Sequence, residues 1–301
     1  MIEVVSCREA GTWYSILKRC FGRLEGRSLE DLKAVTDSPD FDPSRLLLAR
    51  VDGKPAGCIW IKGLLRGDRF ELLDLAVLKE YWGAGVEDAL LERVFEWLSE
   101  REARLLRAHT LSIGYYVSAY KRHGFKPVRR ILRIVWETKG KGIEPMPSEE
   151  NSIEIDEVRS EDLDVLPSVF AESLKPYWDW WIEDYGGEER LKEISRSWFE
   201  PSSGLIWLVA RRNEEILGLT GLHVKDKEGV FFGVMVLPEH RLRGVGWVLM
   251  KSALNKLVEL GLERLSVYTM AYLDHLAPGA LLYLKSGGKI EAEYIQLEKL
   301  V

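Results

Sequence analysis

Two stretches of this chain occur twice, at almost the same separation. Val77-Leu-Lys-Glu-Tyr-Trp-Gly-Ala-Gly-Val-Glu-Asp-Ala-Leu-Leu91 aligns without a gap on Val236-Leu-Pro-Glu-His-Arg-Leu-Arg-Gly-Val-Gly-Trp-Val-Leu-Met250, an offset of 159. Leu48-Ala-Arg-Val-Asp-Gly-Lys-Pro-Ala-Gly57 aligns on Val209-Ala-Arg-Arg-Asn-Glu-Glu-Ile-Leu-Gly218, an offset of 161. A period of about half the 301 residues belongs to a duplicated domain and not to a short solenoid repeat. The two copies are expected at 1–137 and 153–301. The aperiodic, Gly-, Pro- and charge-rich stretch 138–152 is read as the linker.

The second copy carries the sharper pattern. The apolar run Val230-Phe-Phe-Gly-Val-Met-Val236 reads as a buried strand, and Leu249, Ala253, Leu254 and Leu257 form one face of a following helix. Between them lies Val236-x-Pro238-Glu239-x-Arg241-x-x-Gly244-x-Gly246. Glycines at such a junction let the backbone approach a ligand, and the first helical amides have no intrahelical acceptor. A helix start of this kind is an anion site that suits a pyrophosphate.

The full string resembles the acyl-CoA-binding segment of the GNAT-type N-acetyltransferases. The resemblance implies two tandem GNAT-like domains, α+β in class, each a mixed, mostly antiparallel sheet flanked by helices. It implies acetyl-CoA as co-substrate, held along Val234, Met235 and Val236 and on Arg241, Leu242, Arg243, Gly244, Val245 and Gly246. It also implies transfer of the acetyl group to a primary amine. In the first copy Trp82 replaces Arg241, Glu87 replaces Gly246 and Lys79 stands at Pro238, so that copy is expected to be degenerate. A carboxylate suits a helix start but repels a phosphate there.

Composition bounds the alternatives. Charged residues are 30% and hydrophobic ones 46%, as in globular proteins, and no apolar run reaches membrane-spanning length. No N-terminal signal pattern is read, and Cys7, Cys20 and Cys58 lack Cys-x-x-Cys spacing, which fits free thiols in a reducing cytoplasm. One Gln and three Asn beside abundant Glu, Lys and Arg suit a thermophilic source. Residues 1–137 hold 23 Lys and Arg against 20 Asp and Glu, and residues 153–301 hold 17 against 25. Neither balance makes a nucleic-acid surface. Arg129, Arg130 and Arg133 alternate with Ile131 and Ile134, which reads as the wet face of a strand. No metal site is expected, and oligomeric state is open.

Tyr283, in Ala280-Leu-Leu-Tyr-Leu-Lys-Ser-Gly287, resembles the family's late-helix tyrosine that protonates the departing CoA thiolate. The alternative reading is a helix tyrosine packed on the sheet with its hydroxyl at the edge. The family's phenylalanine after that glycine is Gly288 here, whereas the first copy keeps it in Ala119-Tyr-Lys-Arg-His-Gly-Phe125. The strand 230–236 has no carboxylate to act as a general base, although the first-copy strand has Glu71 and Asp74. His223, Asp274 and His275 are the second-half candidates. Tyr177, Trp178, Trp180 and Trp181 among Asp179, Glu183 and Asp184 suit a cationic amine, so Trp180, Asp179 and Glu183 with His223 and Asp274 are assigned to the acceptor pocket. Trp178, Trp181 and Tyr185, at helical spacing, read as core. The missing base keeps a second reading open, a non-catalytic CoA-binding regulator or scaffold.

Overall fold

Leu46–Val51 (β2) turns through Asp52 (φ 48°) and Gly53 (φ 76°) into Lys54–Gly63 (β3). Two consecutive left-handed residues match the twist of paired strands, so Asp-Gly makes the hairpin that its sequence predicts. The computed structural model describes residues 1–22, 27–137, 153–225 and 228–301; the expected linker, 138–152, lies outside them.

The first unit comprises residues 1–129 and 294–301. Ile2–Ser6 (β1), β2, β3 and Arg69–Val77 (β4) pair antiparallel in sequence order. Leu105–Leu111 (β5) then runs parallel to β4, paired only at 69–72 with 105–108. The far side of β5 takes residues 294–300 of the last strand, Lys289–Leu300 (β12), antiparallel. Helices Ala10–Phe21 (α1) and Leu29–Thr36 (α2) pack on each other and put Trp13, Ile16, Leu17 and Leu32 into one core with residues of β2, β3 and β4. Val86–Ser99 (α3) and Gly114–Arg122 (α4) bury Val86, Leu90, Leu91, Val94, Tyr116 and Tyr120. Ser28 and Asp31 form a capping box at α2, with the Asp31 amide 3.2 Å from Ser28 Oγ.

The second unit comprises residues 130–293. Glu154–Glu157 (β7), Leu205–Arg212 (β8), Glu215–Lys225 (β9) and Glu228–Val236 (β10) pair antiparallel, and Arg264–Ala271 (β11) joins β10 in parallel. Beyond β11 lies Lys126–Glu137 (β6), antiparallel, with Ala271 to Arg264 opposite Arg130 to Glu137. The duplicated sequence and the compact units therefore differ at the last strand: each unit completes its sheet with a strand from the other half of the chain. Leu166–Leu174 (α5), Asp179–Asp184 (α6) and Glu188–Phe199 (α7) cover one face through Phe170, Leu191 and Phe199. Val245–Glu259 (α8) and Pro278–Lys285 (α9) cover the other through Met250, Ala253, Leu254, Leu257 and Ala280. Leu132, Ile134 and Trp136 of β6 belong to that second core.

Candidate active site

The second-unit loop is built as its sequence demands. Pro238–His240 makes one 3-10 turn, Leu242 takes φ 60° fully exposed, and Gly244 caps α8 at φ 83°. Only glycine holds the left-handed region without strain, so Gly244 fixes where the helix starts. No backbone carbonyl among the described residues is paired with the amides of residues 242–246. Amides left without a backbone acceptor at a helix start have the chemistry to receive an anion. Val245 is buried and anchors the first turn, while the exposed Arg243 stands beside the amides. A Cβ on Gly246 would touch Leu282 at 3.4 Å and Val234 at 3.6 Å, which allows α8 to pack close against β10 and α9.

Arg241 braces this loop through its guanidinium. Its Nε donates to the Val236 carbonyl at 3.1 Å, and its Nη2 donates to the carbonyls of Ser173 (3.1 Å) and Lys175 (2.5 Å), with the Tyr177 ring 5.5 Å away. The arginine thus ties the loop to the end of β10 and the end of α5.

β10 and β11 are paired only from Glu228–Arg264 to Phe231–Val267, and then they part. At that point β10 carries a bulge, with Gly233 at φ 105°. Thr220 Oγ1 donates to the Gly233 carbonyl at 2.9 Å, and the Val234 amide donates to Tyr283 Oη at 2.8 Å. A Cβ at Gly233 would lie 3.0 Å from that hydroxyl. Tyr283 is buried between Phe231 and Trp136, and burial pushes its phenol up to about 12 against the pull of the Val234 amide. Trp136 also explains Gly288: a Cβ there would come within 2.8 Å of the Trp136 ring and 2.6 Å of Ile134. The tryptophan of β6 fills the room that a phenylalanine after the helix would need.

Other assigned residues are more dispersed. Met235 points into the core under α5–α7, and the apolar run is not wholly buried, since Val230 and Phe232 are exposed and Phe232 stacks on Trp207 (5.6 Å, 25°). Alternation along β10 puts these two on the face opposite α8. His223 is exposed on β9, opposite Val230 and Leu205. Asp274 is 87% exposed and bonded to His275 at 2.7 Å, which holds its carboxyl below the usual range. Asp179 and Glu183 are exposed, Trp180 is half-buried 5.4 Å from Trp178, and Trp178, Trp181 and Tyr185 pack on the Phe170 core as their spacing predicts. Sequence reasoning passed over Phe232 and the burial of Arg133, which is 8% exposed where a wet strand face was expected. Among the described residues no cluster is placed to hold a metal ion.

In the first unit Trp82 Nε1 donates to the Val77 carbonyl at 2.8 Å, replacing the Arg241 bond to Val236 at the equivalent position. Its ring stacks on Tyr115 at 4.3 Å. Glu87 is buried at 4% exposure, bonded to the Tyr115 hydroxyl and, at 3.0 Å, to Arg122. Asp74 stands at the bulge position of Gly233 with φ 59°, and is paired with Arg27. Burial pushes its carboxyl up while Arg27 pulls it down. Tyr116, not Tyr120, takes a strand amide, that of Val77 at 3.3 Å.

The profile of the Acetyltransferase (GNAT) family matches this chain twice, at residues 11–125 and 170–277. No curated protein matches it. Among solved structures, a GCN5-related N-acetyltransferase from Sphaerobacter thermophilus superposes with a TM-score of 0.81 at 17% identity, covering 99% of this chain and 95% of that one. A tandem GNAT protein from the clavulanic acid biosynthesis pathway gives 0.67 at 12% identity, covering 100% and 98%. A GCN5-related N-acetyltransferase from Kribbella flavida gives 0.51 at 13%, covering 100% and 71%. At such identities the likeness is one of fold.

Proposed function

The chain belongs to the GNAT acetyltransferase family, and from that premise we propose that it transfers an acetyl group from acetyl-CoA to a primary amine at one site, in its second unit. We read it as a tandem of two GNAT-type halves, 1–137 and 153–301. The observation that carries the site assignment is Tyr283 Oη on the Val234 amide, where β10 parts from β11 and next to the amide-lined start of α8.

Acetyl-CoA would lie with its pyrophosphate on the amides of residues 242–246, Arg243 beside it and Arg241 holding the loop. The thioester would enter the gap between β10 and β11, where a β10 amide stabilises the oxyanion. The amine arrives on the face of Val230 and Phe232, gives its proton to solvent and attacks the carbonyl carbon. A C–N bond forms, the C–S bond breaks, and the sulfur takes the Tyr283 proton. The acetylated nitrogen sheds its second proton to solvent, and solvent returns one to the phenol, so Tyr283 ends as it began. That phenol is protonated at any working pH, and no acyl-enzyme is needed.

The first unit would bind no CoA. Its loop brace is an indole, and the Glu87 carboxylate, tied by Tyr115 and Arg122, repels a phosphate at the start of α3. Incubation with acetyl-CoA and a panel of amines, reading free thiol and N-acetyl product mass, tests the proposal. Absence of thiol release with every amine would remove it.

A further inference from the structure

Arg133 shares its ion-pair partner with a second arginine. Its Nε lies 3.4 Å from Glu291 Oε2, and the other oxygen of that carboxylate pairs with Arg264. Two guanidiniums thus share one carboxylate, in a cluster where Arg133 is 8% exposed and the Glu291 side chain 9%. Nε and Nη1 of Arg133 make no hydrogen bond among the described residues. A buried charged N–H without an acceptor is costly, so an anion there is favoured. The neighbouring pair Arg130–Glu293, at 3.2 Å, is balanced one to one and does not offer that anion.

The register shows where this cation sits. Arg133 on β6 is opposite Tyr268 on β11, and its guanidinium carbon is 5.8 Å from the Tyr268 ring. Tyr268 is the first residue of β11 beyond the last pair with β10. Val230 pairs with Ser266, two residues before Tyr268, so Val230, Tyr268 and Arg133 share one face. Val230, Phe232 and Tyr268 are each more than a third exposed. An accessible apolar strip therefore ends on a buried arginine that shares its carboxylate, where the two strands part.

We propose that the acceptor amine carries a carboxylate, and that Arg133 receives it. An apolar amino acid fits: its carboxylate on Arg133, its side chain along Val230, Phe232 and Tyr268, its amine toward the gap. The assignment of substrate class rests on acetyl transfer between β10 and β11.

The test compares L-phenylalanine, L-leucine and L-tryptophan with their amides, in acetyl transfer and separately in ligand-induced thermal shift without acetyl-CoA. A charge-assisted pair should favour at least one acid over its amide by roughly ten- to a hundredfold in kcat/KM, mainly through KM. Arg133→Met should collapse that ratio, and Arg133→Lys should restore part of it. Equal use of acids and amides overturns the carboxylate site while leaving acetyl transfer standing. Acid-selective thermal shifts that vanish in Arg133→Met, without turnover, would support the site and remove the transfer reading. No acid preference in either measurement overturns the proposal. If the variants fail to fold, the acid-to-amide ratio of the unaltered protein decides it.

Discussion

At the scale of single residues, the proposed general acid is Tyr283, whose hydroxyl meets the Val234 amide. Tyr283→Phe should lower kcat by about ten- to a thousandfold, as general acids contribute, with acetyl-CoA affinity nearly kept. Single-turnover rates and titration calorimetry check this, and an unchanged rate reduces Tyr283 to packing. The raised phenol also affects stability. The native state keeps this proton from about pH 10, where an ordinary phenol ionises, up to about 12, so its contribution is complete below 10 and lost as pH rises through 12. Urea midpoints between pH 9 and 11 should therefore fall more for the unaltered protein than for Tyr283→Phe. Gly233 is the second sensitive position. Gly233→Ala combines φ 105° with a Cβ 3.0 Å from the tyrosine hydroxyl, so about 1–3 kcal/mol of stability and a larger share of activity should go. Unaltered kinetics and melting temperature would count against the bulge as the site's frame.

At the scale of elements, the loop before α8 depends on charge and on conformation. Gly244→Glu places a carboxylate on the anion edge and strains φ 83°, so acetyl-CoA affinity should fall below detection in calorimetry. Arg241→Met should also weaken it, because the loop loses its ties to Val236, Ser173 and Lys175 while the amides remain. Unchanged affinity in both variants would place the donor elsewhere. Much of this element was legible in the sequence. Pro238, Gly244 and the apolar face of α8 are local signals, and so are the Ser28 capping box and the Asp52-Gly53 turn. The braces were not, because a guanidinium that meets carbonyls 66 and 68 residues away leaves no mark in the spacing.

At the scale of the whole molecule, the exchanged strands link the two halves. Residues 294–300 pair with β5, and Leu297 is fully buried in the first core, although these residues close the chain. Deleting 294–301 should therefore abolish hydrogen-exchange protection of β5, in the first unit; retained protection would show the pairing to be dispensable. Fragment 153–301 lacks Leu132, Ile134 and Trp136, which pack in the core with Tyr283. It should melt far below the intact chain and bind acetyl-CoA poorly. The intact protein should bind one acetyl-CoA per chain by calorimetry, and two would overturn the assignment of Trp82 and Glu87 as blocking residues.

What the sequence determined by itself is what lies close along the chain: the duplication, the strand–turn–helix of Val236 to Met250, the caps, and the family. Each rests on periodicity and turn chemistry, which act over a few residues. The tertiary structure decided which side chains meet. Arg133, in a stretch of alternating charge and isoleucine, is buried because Tyr268 of β11 and Glu291 of β12 pack beside its guanidinium on a face that the sequence reads as wet. Gly288 stands where the family has phenylalanine because Trp136, 152 residues earlier, occupies that volume. Phe232 is open because alternation along β10 puts it on the face opposite α8, just beyond the last pair with β11. Strand exchange and packing are relations between distant residues, and only the folded chain brings those residues into contact.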